Sequence, residues 1–199
     1  MATERKFKDL KASCLTMNGI SKEEMDQHWG ILYKGYVAKL NEIRKKLDTV
    51  DYSAANQTYS DLRGMKTEEV FALNGAKLHE WYFDNLGGSG GKATGRILEL
   101  IERDFGSYEK WETEFKSTGL AVRGWVVLAY DLDDEKLHNY GQDAHNVGVP
   151  WGAYPLLILD VYEHAYGIDY GVKRAPYLDA FMKNIDWAPV NARLAKFKL

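Results

Sequence analysis

Four glycines and a serine, Gly87-Gly88-Ser89-Gly90-Gly91, divide this chain into two stretches of different periodicity. Such a segment has too much backbone freedom to continue a helix or strand, so regular elements should stop on either side of it. Before the joint, Trp29, Leu32, Tyr33, Tyr36, Val37, Leu40 and Ile43 recur at three- and four-residue intervals. That spacing predicts one broad-faced helix reaching about Leu47. Its start is marked by Ser21 with Glu24 three places on, the form of a capping box. A second long helix is predicted from near Thr67 to Leu86, with Gly87 suited to the left-handed stop position. Two long helices joined by a polar connection predict an antiparallel hairpin.

After the joint the pattern is mixed. Residues 92–105 and 108–115 read as helices. Gly124-Trp-Val-Val-Leu-Ala-Tyr130 and Lys136-Leu-His-Asn-Tyr140 are short β-rich runs joined by a turn-forming Asp131-Leu-Asp-Asp-Glu135. Pro155-Leu-Leu-Ile-Leu-Asp160 suits a buried strand, and 175–185 and 190–197 read as closing helices. The reading is a helical hairpin first, then a three-stranded sheet flanked by helices. There is no internal repeat and no low-complexity tract.

At 199 residues with 45% apolar and 28% charged side chains, the chain has ample material for a packed core, in one domain or two small ones. The net charge of −3 and the absence of a Lys/Arg-rich block argue against a nucleic-acid partner. No run of roughly 18 apolar residues occurs, so no membrane span is expected. The amino-terminal residues lack the apolar core of a signal peptide. The single cysteine, Cys14, excludes an intramolecular disulfide and speaks against a thiolate cluster. These features together predict a cytoplasmic location.

The chemistry must be sought among five histidines: His28, His79, His138, His145 and His164. A lone histidine is more often structural than a ligand. His164 follows Asp160 by four residues at the end of a buried-type strand, where a turn would aim both at one point. Imidazole and carboxylate are both ligands for iron and manganese, although a plain hydrogen bond between the two would explain the spacing equally well. His28 and His79 sit one on each long helix beside aromatic residues, and in a hairpin they would face each other, as ligands or as two satisfied core histidines. Competing motifs fail. His79-Glu80 begins like a zinc-protease pattern, but residue 83 is Phe83 rather than histidine. The glycine joint lacks the Lys-Ser/Thr of a phosphate loop, and no Gly-x-Ser-x-Gly elbow is present.

Taken in order, these pieces resemble the iron/manganese superoxide dismutase family over nearly the whole chain. Asp160-Val-Tyr-Glu-His164-Ala-Tyr is close to that family's D-x-W-E-H-A-Y signature, with Tyr170 and Arg174 at the family spacing and Asn184-Ile-Asp-Trp187 echoing its closing N-x-x-W. His28 with Tyr36-Val37, His79 with Tyr82-Phe83 and Asn85-Leu86, and Gly124-Trp125 match its two helices and first strand. The resemblance implies an α+β fold: an N-terminal antiparallel α-hairpin domain, residues 1–89, then a C-terminal α/β domain, residues 90–199, with a three-stranded antiparallel sheet. It implies His28, His79, Asp160 and His164 as ligands of one iron or manganese ion per chain, with solvent as the fifth ligand and superoxide anion as substrate. Tyr36 would be the gateway phenol, Arg174 and Tyr170 would support the funnel, and Glu163 would reach the partner's His164 in a homodimer or tetramer.

The chain departs from the family pattern at several positions. Leu32 replaces a gateway histidine, and Gly167 replaces the tyrosine that pairs with it. Tyr162 replaces the signature tryptophan, and Val127 a second tryptophan. Gly75 stands where an iron-type glutamine would lie, so the residue that bonds the solvent ligand must come from elsewhere. Gln142-Asp143 resembles the manganese-type pair, while His145 is better spaced and is favoured over Gln142. Two rival readings follow from these departures: a non-catalytic metal-binding member of the same fold, and a metal-dependent oxidoreductase acting on a small organic substrate.

Overall fold

The computed structural model describes residues 3–197. The first predicted helix forms in three parts. Helix α1 (Lys22–Gln27) passes into a π-helical stretch (His28–Tyr33) and then into α2 (Lys34–Leu47). A π turn carries an extra residue per turn and re-aims the side chains within it, and such turns frequently lie at functional sites. The apolar spacing read as one helix because a one-residue insertion hardly disturbs so broad a face.

Only half of the predicted capping box exists. Ser21 Oγ accepts from Glu24 N–H at 3.0 Å, but the Glu24 carboxylate turns away and accepts from Ile168 N–H at 2.9 Å. The Ser21 N–H is taken instead by Asp169 Oδ2 at 2.7 Å. The two acidic side chains thereby tie the start of α1 to the segment just after His164.

Helix α3 (Asp61–Asp84) begins a turn and a half before the predicted Thr67, because Ser60 caps it through Arg63 N–H at 3.2 Å. The stretch it adds holds only two large apolar side chains, Leu62 and Met65, too few to show a period, although both pack against the hairpin cluster. Gly87 adopts φ +76, and a Cβ there would lie 2.4 Å from Ser13 Oγ, so the close approach of the chain also requires glycine. Helices α4 (Arg96–Phe105) and α5 (Tyr108–Ala121) then precede the sheet.

Strands β1 (Trp125–Asp131), β2 (Lys136–Gln142) and β3 (Ala153–Asp160) form an antiparallel sheet of order β2-β1-β3. As the central strand, β1 is buried through its first six residues. In this register Trp125 lies opposite Gln142 on one side and Asp160 on the other. The short α6 (Gly167–Tyr170), α7 (Arg174–Lys183) and α8 (Trp187–Leu194) close the chain.

Helix α3 is anchored to the sheet by Asn85, whose carboxamide donates to Ile158 O at 3.0 Å and accepts from Ile158 N–H at 3.2 Å. This side chain does for β3 what a neighbouring strand would do, and it sets His79 over the end of that strand. The main apolar core runs through both halves of the chain, from Tyr33 and Tyr82 to Trp111, Trp125 and Phe181. A smaller cluster around Leu40, Ile43, Leu47 and Ala72 holds the hairpin together. Among the described residues, no helix is long and apolar enough to cross a membrane.

Candidate metal centre

Four side chains meet where the hairpin rests on the sheet. His28 opens the π-helical stretch, His79 comes from α3, Asp160 ends β3, and His164 lies in the 3-10 turn Glu163–Ala165. One nitrogen or oxygen from each lies within 4.8 Å of all the others. About Asp160 Oδ2, the Nε2 atoms of His28 and His164 stand at 3.2 Å and that of His79 at 3.6 Å. The other carboxylate oxygen, Oδ1, accepts from Tyr162 N–H at 2.9 Å. That local turn bends the chain so that residue 164 returns to face residue 160.

The tautomer of His79 follows from its partner. Nδ1 lies 2.6 Å from the carbonyl of Gly75, and a carbonyl can only accept, so Nδ1 carries the proton. Nε2 is then a bare lone pair, fully buried and without a hydrogen-bond partner among the described residues. Burial pushes His79 well below the usual imidazole range and lowers His28 as well, so both rings are neutral. Burial would raise Asp160. The charge of His164 and the hydrogen bonds from His164 and His28 outweigh it, and hold the carboxyl below its usual range. For His164 burial lowers and Asp160 raises, with Asp160 prevailing. Imidazole nitrogens around one ionised carboxylate, with no thiolate, suit iron or manganese. A cation would displace the His164 proton and satisfy the lone pair on His79. The donation from His79 to a main-chain carbonyl is the usual outer support of a ligating imidazole.

Tyr36 and His145 lie beside this cluster, their ring centroids 4.7 Å apart, with Tyr36 5.3 Å from His79. Burial raises the Tyr36 phenol to about 12. The indole N–H of Trp125, a donor only, bonds His145 Nδ1 at 2.9 Å, so neutral His145 carries its proton on Nε2. Burial holds His145 at about 4, hence neutral, and Nε2–H is a buried donor with no partner among the described residues. Gln142 faces the same side of the sheet as Trp125, and its Oε1 is buried with no hydrogen-bond partner among the described residues.

Arg174 stands further off. It donates to the carbonyls of Val122 and Gly119 at 2.6 and 3.1 Å, at the C-terminal end of α5, and to Tyr166 Oη at 3.3 Å. Tyr170 bonds the carbonyl of Gly19. Glu163 is exposed beside His164, whose side chain keeps 24% of its exposure. Tyr162 stacks on His164 at 5.1 Å. Leu32 is half-buried and Gly167 exposed. His138 pairs with Asp134 at 2.8 Å in a surface group with Asp131, at the opposite end of β1 from Trp125.

Three contacts have no signal in the sequence. Tyr177 Oη donates to the carbonyl of Asp160 at 2.7 Å and lies 3.0 Å from Tyr82 Oη. Trp125 acts on His145 across 20 residues, where the sequence marks it only as the start of a strand. A surface cavity of about 250 Å³ near Lys8, Trp29 and Arg193 is lined by none of the four clustered residues.

Comparison with known proteins adds an independent line. The family model described as iron/manganese superoxide dismutases, C-terminal domain, matches residues 93–193. An iron superoxide dismutase of Aquifex aeolicus is 45% identical over 184 residues, 90% of this chain and 86% of the relative. The chain belongs to the iron/manganese superoxide dismutase family. An iron superoxide dismutase of Cupriavidus metallidurans is 41% identical over 95% of both chains. A manganese superoxide dismutase of Haloarcula marismortui is 34% identical over 84% of this chain and 82% of its own. Relatives named for each metal thus resemble one sequence, as expected of a family in which the same kind of donor set serves both ions.

Proposed function

We propose that His28, His79, Asp160 and His164 hold the single iron or manganese ion of this superoxide dismutase, with Tyr36 and His145 governing protons beside it. The observation that carries the reading is the bare Nε2 of His79, 3.6 Å from an ionised Asp160 oxygen in a fully buried place. Two electron-rich atoms so placed repel in a low-dielectric interior, and a cation between them reverses the sign. A proton on Nε2 would make His79 an imidazolium, its Nδ1–H already given to Gly75, and burial disfavours that charge.

The reaction takes two superoxide anions and two protons to dioxygen and hydrogen peroxide. Iron or manganese supplies the one-electron chemistry that links the two halves. The chain's residues supply the environment. Tyr36 and His145 are neutral donors side by side, and fixed donors of this kind favour an oxygen anion entering the site. Phe71 against His145, Phe83 against His28 and Trp125 against His79 wall the cluster with aromatic carbon, which excludes bulk water. In this reading His145 rather than Gln142 is the outer partner, because His145 meets Tyr36 directly and presents a defined N–H. Arg174 braces the end of α5 and Tyr166 from behind.

A homodimer formed through the Glu163 face is part of the same proposal. The exposed Glu163, the partly exposed His164 ring and the exposed apolar Ile31 and Ile168 support it, the latter two lying within four residues of His28 and His164. Sedimentation checks it, since a fully active monomer would remove Glu163 from this role. The single buried Cys14 suits a reducing compartment, and cell fractionation tests the cytoplasmic location.

The deciding experiment is elemental analysis of protein purified without added metal, followed by a superoxide-decay assay on the same sample. About one iron or manganese per chain with fast decay is the expected result. Full metal with no decay, repeated after reconstitution with each ion, would overturn the roles given to Tyr36 and His145.

A further inference from the structure

His145 lies three residues beyond the end of β2, outside the sheet ladder. Among the described residues, two hydrogen bonds engage it. Trp125 holds its ring through Nδ1, and Asn74 Nδ2 donates to its main-chain carbonyl at 2.9 Å, across 71 residues of chain. A carbonyl only accepts, so the Asn74 amide is fixed with its NH2 toward residue 145. The two anchors come from different elements, Trp125 from the sheet and Asn74 from α3.

Asn74 also precedes Gly75, whose missing side chain admits the ring. A Cβ on Gly75 would lie 3.2 Å from His145 Cδ2. The dipeptide therefore forms a seat in which one residue grips the main chain and the next makes room for the imidazole. Five residues further along the same helix stands His79. A rigid helix thus sets the placement of His145 relative to a candidate ligand, without passing through the loop 143–152.

We propose that Asn74 is a positioning residue that aims the His145 donor into the metal centre and so tunes the midpoint potential of the bound ion. The inference rests on the outer-partner reading of His145. A donor displaced by a fraction of an ångström stabilises the oxidised and reduced states to different extents, and outer-shell hydrogen bonding is one of the levers on a metal's potential.

The test is the midpoint potential of the iron-reconstituted protein, measured by spectroelectrochemical titration alongside thermal melting. The variants are Asn74→Ala, His145→Ala and the double variant. Asn74→Ala should change the oxidised-to-reduced ratio at least tenfold, about 59 mV for a one-electron couple. His145→Ala should change it at least as much, and the double variant should match His145→Ala alone. An unchanged potential in Asn74→Ala, with a shift in His145→Ala, would overturn the positioning role and leave the His145 reading standing. An equal Asn74→Ala shift with and without His145 would overturn it too, since the effect would then bypass the imidazole. No shift in His145→Ala would instead remove the outer-partner reading, and the positioning role with it. Asn74→Leu, which nearly keeps the shape, stays neutral and removes the donor, gives the same readout if Asn74→Ala fails to take up iron.

Discussion

The carbonyl of Gly75 accepts the Nδ1 proton of His79 at 2.6 Å, one helical turn back along α3. The same glycine leaves no room on its outer side, because a Cβ would stand 2.9 Å from two ring carbons of Tyr36. Gly75→Ala keeps the carbonyl, and with it the tautomer of His79. It should retain about one metal per chain while moving Tyr36 or His145. Overpacking of this kind costs about 1–3 kcal/mol. Lower Tm and lower turnover at unchanged metal content are expected from calorimetry, assay and elemental analysis. Activity lost strictly in step with metal would contradict this.

Asp160→Asn removes the one negative charge among the four clustered residues and leaves the volume nearly the same. Metal content should fall below about a tenth of the wild-type value, from the loss of a buried charge partner. Ligand linkage gives a second readout. An ion at 100 times its dissociation constant stabilises the wild type by about 2.7 kcal/mol. Added iron or manganese should therefore raise the wild-type Tm and leave that of Asp160→Asn unmoved. Full occupancy in the variant would strike Asp160 from the ligand set.

Tyr36→Phe keeps the ring that packs on His79 and His145 and removes only the hydroxyl. Metal content should be unchanged. Turnover should fall by up to about 10²-fold, the lower range for a positioned proton donor. The pH–rate profile should change on its alkaline side, where a phenol of raised pKa would otherwise still be protonated. A profile identical to wild type would count against the role given to Tyr36.

Cys14 is fully buried and donates to the carbonyl of Phe83, and burial raises its thiol to about 11. Only the thiolate is alkylated. At pH 8 about one native thiol in a thousand would be ionised, against about a quarter for a free cysteine. Iodoacetamide labelling of the folded protein should be slower than that of the unfolded chain by at least about 10²-fold. Its rate should climb about tenfold per pH unit between pH 7 and 10, with no plateau near 8.5. A plateau there would show that the thiol is accessible and unperturbed.

Much of the architecture is legible in local pattern. The glycine joint, the apolar periodicity before it and the alternation to short β-rich runs after it lead to the hairpin and the three-stranded sheet, because period and turn chemistry are properties of neighbouring residues. The π-helical stretch at His28 escapes that reading. So does the true partner of Glu24, because a capping box and a carboxylate aimed at α6 have the same local sequence.

The centre itself divides along the same line. Sequence by itself determined that His28, His79, Asp160 and His164 stand in family-like surroundings, each on an element able to present it. Spacing could not separate a ligand from a satisfied core histidine. Tertiary structure decided that their Nε2 and Oδ2 atoms share one buried place, and that Gly75 and Trp125 choose the tautomers of His79 and His145. It also brought Asn74 and Tyr177 to their carbonyl partners. Periodicity says which way a side chain faces along its own element. Hydrogen-bond partners and burial, which set protonation and charge, come from elements that meet only when the chain has folded.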